Sequence, residues 1–282
     1  MILLDYSSVA MSSVMVRLKE FEDNHELVRH QIFNTIRMYN QMFREEYGQM
    51  VICFDYGSNW RRDKFPEYKA VRRKNRKESD TDWNSIFEVL NEVREEVMNS
   101  TPYPCIRVEN CEADDIIGAI CELNTSPEPI LIVSPDKDFV QLQRYPNVKQ
   151  YSNIQKKWVE PEEDPVTDLE VKVLRGDTGD GVPNVLSEDD CLISESKRQS
   201  PLSKKKIAAL MEDPEALGTA VARRIIRNRD MIDLRRTPQE YKEEAMSQLK
   251  QGPKGNIMKL MTLFTKHRMK LLAESLQDFE VK

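Results

Sequence analysis

The sequence predicts an α/β fold, a central and mostly parallel sheet with flanking helices, followed by a smaller all-helical C-terminal domain. Three observations predict it. The runs ILLD (2–5), MVICFD (50–55) and ILIVS (130–134) are short, apolar and β-rich, and longer amphipathic stretches separate them, as parallel strands with helical crossovers require. CIRV (105–108) and VKQY (148–151) add two shorter strands. Beyond about residue 165 the strand signals fade, and helical periodicity runs near 167–175, 204–212, 215–230, 238–249 and 256–276.

With 282 residues the chain has room for one large core and a second, smaller unit. The expected boundary falls at 165/166: residues 1–165 carry the strands and a basic segment at 58–80, and 166–282 are helical. Between the first strands, Trp83, Ile86, Leu90, Val93 and Val97 recur at helical spacing and mark a core-facing stripe. Residues 184–203 exchange apolar side chains for Ser, Asp, Glu and Lys, which predicts a mobile loop. No apolar run approaches the roughly 20 residues needed to cross a bilayer, and the start MILLDYSS lacks signal-peptide features. The expectation is a cytoplasmic protein with no membrane partner. Five cysteines without a CxxC pair fit reduced, structural thiols.

Net charge is -6, but the charges are segregated. Residues 60–77 hold nine Lys or Arg against Asp63 and Glu67, and residues 250–270 hold six basic groups and no acid. Acids crowd at 160–170 and 188–195.

Nine carboxylates occupy strand ends or helix starts: Asp5, Asp55, Glu112, Asp114, Asp115, Asp136, Asp138, Asp177 and Asp180. In an open parallel sheet the carboxyl ends of the strands share one rim, so Asp5, Asp55, Asp136 and Asp138 are expected to meet there. At about 4 Å and an effective dielectric of about 20, two like charges repel by about 4 kcal/mol. A cluster this large stays ionised only if cations neutralise it. For Glu112, Asp114 and Asp115 in CEADDIIGAI, helix capping competes with a ligand role, but the dipole rewards each first-turn acid by only about 0.3–1 kcal/mol. Asp177 and Asp180 in GDTGDGVP are three residues apart beside turn-forming glycines; alone this is a turn. His25, His30 and His267 lie away from every acidic motif, which disfavours zinc or a histidine triad. Oxygen-only donors select hard cations, Mg²⁺ above all, and two such ions suit in-line phosphoryl displacement.

The segment NWRRDKFPEYKAVRRKNRK interleaves Trp60, Phe65 and Tyr68 with Arg61, Arg62, Lys64, Lys69, Arg72 and Arg73. Basic groups hold phosphates and rings stack bases; a solvated charged helix is the alternative. Lys69 and Arg72, one turn apart, are placed to offset charge on a scissile phosphate. Lys204, Lys205 and Lys206 precede a short helix and suit a duplex backbone, as in a helix-turn-helix; a solvated helix end is the alternative.

These motifs and their order resemble the 5'-nuclease family, which includes flap endonucleases and the 5'-nuclease domains of bacterial DNA polymerases. The likeness is carried by LLDYS, CFDYG, WRRDKFPEYKAVR, EADD, SPDKD and GDTGDGVP. RYPNVKQYS, KKWV and RTPQEYKEEAMSQLKQGPKGNI resemble its phage ribonuclease H branch, so the likeness spans nearly the whole chain. The resemblance implies a PIN-like 5'-nuclease fold and a helix-turn-helix-like DNA-binding element. It implies a 5' to 3' exonuclease and flap endonuclease acting on RNA·DNA hybrids and duplex DNA, which removes RNA primers in lagging-strand replication. Two Mg²⁺ ions are implied, with Mn²⁺ able to substitute. By that analogy Asp55, Glu112, Asp114, Asp136 and Asp138 surround the first ion, and Asp5, Asp177 and Asp180 hold the second through waters. Asp136, Lys69 and Arg72 are the expected catalytic residues. Arg61, Arg62, Tyr68, Lys69, Arg72, Arg73 and Lys204–Lys206 are the expected nucleic-acid contacts. A single-stranded DNA-binding protein and a sliding clamp are implied partners of a monomer in the host cytoplasm.

One departure stands out. After its last acidic motif the family has a glycine-rich turn and a Lys-Thr pair, whereas VPNVLSEDDCLISESKRQSPLSKKKIAAL has neither. Its acids would repel DNA, so this loop is expected to point away or to move on binding. Two other readings share the acids: a toxin-type metal ribonuclease, which needs no 5' end, and a non-catalytic nucleic-acid-binding replication scaffold, which binds without cutting.

Overall fold

The computed structural model describes residues 1–15, 25–215 and 217–281. They form two compact units. The first comprises 1–15, 25–57, 82–160 and 239–281, and the second comprises 58–81, 161–215 and 217–238.

The first unit is built on six strands: β1 (Ile2–Asp5), β2 (Met50–Cys53), β3 (Cys105–Ile106), β4 (Ile130–Val133), β5 (Val148–Ser152) and β6 (Lys157–Val159). Their order is β3-β2-β1-β4-β5-β6. All neighbours are parallel except β5 and β6. β1, β2 and β4 are buried along their whole length, because a parallel sheet is covered on both faces and its strands read as unbroken apolar runs. The expected strands at 50–55 and 105–108 are shorter than their apolar runs, ending at Cys53 and Ile106. β6 was not expected. It is a three-residue, partly exposed edge strand that carries no apolar run.

Helices α1 (Tyr6–Met15), α2 (His25–Tyr47) and α5 (Trp83–Ser100) share one core with Ile2, Leu4, Met50, Ile52, Leu131 and Val133. Asp82 starts α5 by accepting from the backbone N–H groups of Asn84 and Ser85 at 3.1 Å. α6 (Ala113–Leu123) packs on β1 and β2. In the second unit lie α3 (Arg61–Lys64), α4 (Ala70–Glu78), α7 (Pro165–Arg175), α8 (Lys204–Glu212) and α9 (Thr219–Ile232). α7 packs against both α8 and α9.

The compact units do not follow the linear boundary expected at 165/166. The C-terminal helices α10 (Gln239–Gln251), α11 (Ile257–Lys266) and α12 (Lys270–Glu274) belong to the sheet unit. Leu260, Leu263, Phe264, Leu272 and Phe279 complete its core, and α10 packs on α6 and β3. The basic segment instead belongs to the helical unit, where Phe65 and Tyr68 join the core with Val173, Val182 and Ile225. The helix expected over 256–276 breaks at Arg268, whose φ of 54° is left-handed. The Met269 N–H reaches back to the Phe264 carbonyl at 2.8 Å, closing the helix as a Schellman turn does. Among the described residues, no helix is long and apolar enough to cross a membrane.

Candidate acidic centre and basic strip

In the sheet unit the acids stand where the strand ends place them. Asp5 closes β1 and is 8% exposed. Its carboxylate accepts from the Ser8 N–H at 3.2 Å and from the Ser134 hydroxyl at 2.8 Å. Asp55, two residues past β2, accepts from the Ser7 hydroxyl and, at 2.8 Å, from the Ala113 N–H at the start of α6, where the helix dipole favours an anion. Asp136 follows β4 and caps the 3-10 helix at 137–144, accepting from the Asp138 N–H at 2.9 Å. Its own N–H donates to Ser134 Oγ at 3.2 Å.

Electrostatics binds these acids into one group. Burial, then the nearby charge of Asp55, pushes the Asp5 carboxyl up to about 7; the Ser134 and Ser8 bonds oppose the rise, and Asp136 adds to it. A divalent cation relieves this repulsion, and the donors present are oxygen alone, so the residues fit a hard metal ion. Among the described residues no three His, Cys, Asp or Glu side chains already stand together as a ready ligand set.

Glu112 and Asp115 form a reciprocal capping box at the start of α6, with the Glu112 N–H donating to Asp115 at 3.0 Å. Asp115 is 1% exposed. Capping accounts for the acid at this position, since its carboxylate accepts from the Glu112 backbone and lies away from solvent. Glu112, Asp114 and Asp138 are half-buried.

Sequence reasoning missed Ser7, Ser134 and Gln150. Ser134 is fully buried and joins Asp5 to the backbone of Asp136. Gln150 donates to the carbonyls of Ser134 and Asp136 at 3.0 and 2.7 Å. The available signal was a serine two residues before Asp136 in SPDKD; nothing local marks Gln150.

Asp177 and Asp180 lie in the helical unit, on a turn closed by paired backbone bonds between Asp177 and Val182. Gly176 and Gly181 have φ of 70° and 75°. A Cβ on Gly176 would meet the Val182 carbonyl at 2.4 Å, and one on Gly181 the Glu67 carbonyl at 2.9 Å, so only glycine lets the turn approach so closely. Burial opposes ionisation of Asp177, yet Lys172 at 3.0 Å and the N–H groups of Asp180 and Gly179 hold its carboxyl below the usual range. Asp180 accepts from Tyr68 Oη at 3.0 Å and Arg72 Nη2 at 2.8 Å, and Lys69 Nζ lies 3.6 Å away.

The basic strip differs from expectation in its rings. Trp60, Phe65 and Tyr68 are buried, as is Arg61, which is 1% exposed. Arg61 Nε donates to the Met231 carbonyl at 2.9 Å, and its guanidinium lies over the Trp60 ring at 4.6 Å. Arg61 and Tyr68 are therefore packing groups rather than nucleic-acid contacts. Arginine and aromatic rings stack equally well in a core and on a surface, so their spacing alone does not separate the two. Arg72 stays half-exposed. Arg73 donates to the Tyr68 carbonyl at 2.7 Å, and burial and the neighbouring Arg62 charge lower its pKa. Lys204–Lys206 are exposed at the start of α8, where Ser203 caps the helix.

The acidic loop is held by specific contacts. Val185, Ser187 and Cys191 are buried, and the Asn184 side chain donates to the Ser200 carbonyl at 2.9 Å. Its acids lie on the unit's own cations: Glu188 on Arg224 at 3.2 Å, Asp189 on Arg227, and Glu195 on Lys74 at 3.5 Å.

Residues 1–169 match the family described as "5'-3' exonuclease, N-terminal resolvase-like domain". The chain is 31% identical to ribonuclease H of Enterobacteria phage T4, over 98% of this chain and 95% of that one. It is 27% identical to the 5'-3' exonuclease of Buchnera aphidicola, over 59% of each. The fold is similar to that of the bacteriophage T5 flap endonuclease in complex with DNA and metal ions, with a TM-score of 0.67 at 15% identity, covering 88% of this chain and 97% of that one. It is also similar to T5 5'-exonuclease with bound zinc, with a TM-score of 0.61 at 17% identity, covering 89% and 98%.

Proposed function

The chain belongs to the 5'-3' exonuclease family and is a nuclease, and we propose that it is a Mg²⁺-dependent 5' to 3' exonuclease and flap endonuclease on RNA·DNA hybrids and duplex DNA. The observation that carries this reading is the cluster of Asp5, Asp55 and Asp136 at the strand ends, where burial and then the charge of Asp55 push the Asp5 carboxyl up to about 7. Oxygen donors and mutual repulsion suit a pair of Mg²⁺ ions, with Mn²⁺ able to substitute. Asp5, Asp55, Glu112, Asp114, Asp136 and Asp138 are the residues that would hold metal in the sheet unit, with Asp177 and Asp180 as further carboxylates of the helical unit. Bound metal supplies activation of a water and charge compensation on the leaving oxygen.

This chain's own groups do the rest. Ser7 and Ser134 orient Asp55 and Asp5 through their hydroxyls. Lys69 and Arg72 bring two cations to a substrate phosphate, with Asp180 keeping them together. Arg62, Arg73 and Lys204–Lys206 grip the backbone without reading sequence. Removal of RNA primers in lagging-strand synthesis is the biological task of such an activity. In that task the enzyme acts as a monomer with a single-stranded DNA-binding protein and a sliding clamp.

The test is a 5'-labelled RNA strand annealed to DNA, compared with the same hybrid closed into a circle. A 5'-end-dependent nuclease gives short labelled products from the linear hybrid and none from the circle. Equal cutting of both would replace it with an internal ribonuclease.

A further inference from the structure

The rings expected to stack bases, Trp60, Phe65 and Tyr68, are buried, yet Tyr56, the residue after Asp55, is only half-buried. Its surroundings are unusually well fixed. The Tyr56 N–H donates to the Cys111 carbonyl at 3.0 Å. Arg107 donates to the carbonyls of Asp55 and Tyr56 at 3.4 and 3.2 Å, and its guanidinium lies over the Tyr56 ring at 4.6 Å. Arg107 is itself clamped from α10, where Gln248 accepts from its N–H at 3.0 Å and donates to its carbonyl at 3.2 Å. The chain beyond the ring borders open space, since a Cβ on Gly57 would meet nothing within 4 Å.

We propose that Tyr56, backed by Arg107, is a stacking platform for an unpaired base of the strand being cut, beside the acidic centre. The inference rests on the nuclease reading above and adds a substrate contact to it. A ring with a fixed backbone and a cation against one face loses little freedom when a base stacks on it. Every base has a π-face, so such a contact orders the nucleotide without selecting its identity. Its placement one residue from Asp55 ties that ordering to the acids. Arg107 acts through Tyr56 and the two carbonyls and is a positioning residue.

The test uses the full chain and a 5'-flap duplex in chelator, so that binding is read without cleavage. A fluorescent 2-aminopurine is moved through the unpaired nucleotides, and in a parallel series each is made abasic. With wild-type protein, one position should show the strongest quenching, and its abasic form should bind about tenfold more weakly. Tyr56→Phe should keep both effects, Tyr56→Leu should lose both, and Arg107→Leu should weaken them. Melting curves establish that each variant is folded. A folded Tyr56→Leu as sensitive to the abasic substitution as wild type would overturn the platform while leaving the nuclease reading intact. A wild-type chain that neither binds the flap in chelator nor cuts it with Mg²⁺ would remove both.

Discussion

Arg72 Nη2 lies 2.8 Å from Asp180 Oδ1, joining two segments 108 residues apart in sequence. With Lys69 and Tyr68 on the other oxygen, the basic strip and the acidic turn form one charged assembly in the helical unit. Arg72 is half-exposed, so its ion pair adds little stability. Removing it should act on substrate: Arg72→Ala should lower kcat by about 100-fold and leave the melting temperature nearly unchanged. Steady-state kinetics and calorimetry check this together.

Tyr68 differs, because its ring is buried and its hydroxyl meets a carboxylate. Tyr68→Phe should cost about 1.5–3 kcal/mol, the range for a hydrogen bond to a charged group. Chemical denaturation should show the loss, and Asp180→Asn should shrink it.

Asp5 predicts an inverted pH dependence. Its carboxyl titrates at about 7 when folded and about 4 when unfolded. Between these values the unfolded chain ionises first, so its contribution to stability falls as pH rises and levels off above the folded value. In chelator, Asp5→Asn should melt several degrees higher than wild type at pH 8, at roughly 2–4 °C per kcal/mol, and should match it near pH 4. Added Mg²⁺ should raise the wild-type melting temperature at pH 8 and have a smaller effect on the variant.

Ser134 holds Asp5 and Asp136 in register through one hydroxyl. Ser134→Ala should weaken Mg²⁺ binding by about 10–100-fold, as loss of a group that orients metal ligands does. Titration calorimetry measures it, and Ser134→Thr, which keeps the hydroxyl, should recover part of the affinity.

The acids of the 184–203 loop sit on Arg224, Arg227 and Lys74, which leaves those cations partly compensated. Glu188→Gln with Asp189→Asn should tighten duplex binding several-fold at low salt and steepen its salt dependence. Fluorescence anisotropy across a salt series reads both effects.

The central strands were legible because β1, β2 and β4 are covered on both faces and need uninterrupted apolar residues. Asp5, Asp55 and Asp136 were legible because turns after such strands place acids at one rim. β6 was not, since a short exposed edge imposes no pattern. The return of α10–α12 to the sheet unit was hidden too, because an amphipathic helix advertises an apolar face but not its partner. The burial of Arg61, Trp60 and Tyr68 was hidden for a related reason: cation and ring alternation reads the same on a surface and in a core. Arg107 and Gln248 carry no motif, and only the fold brings them to Tyr56.

The most direct measurement is cleavage of a duplex bearing a labelled 5' flap by wild type and Asp136→Asn, each with Mg²⁺ and with chelator. Wild type should give short 5' products with Mg²⁺ alone, and the variant none under either condition. Cleavage that persists in chelator, or in Asp136→Asn at the wild-type rate, would contradict a metal-dependent centre built on these acids.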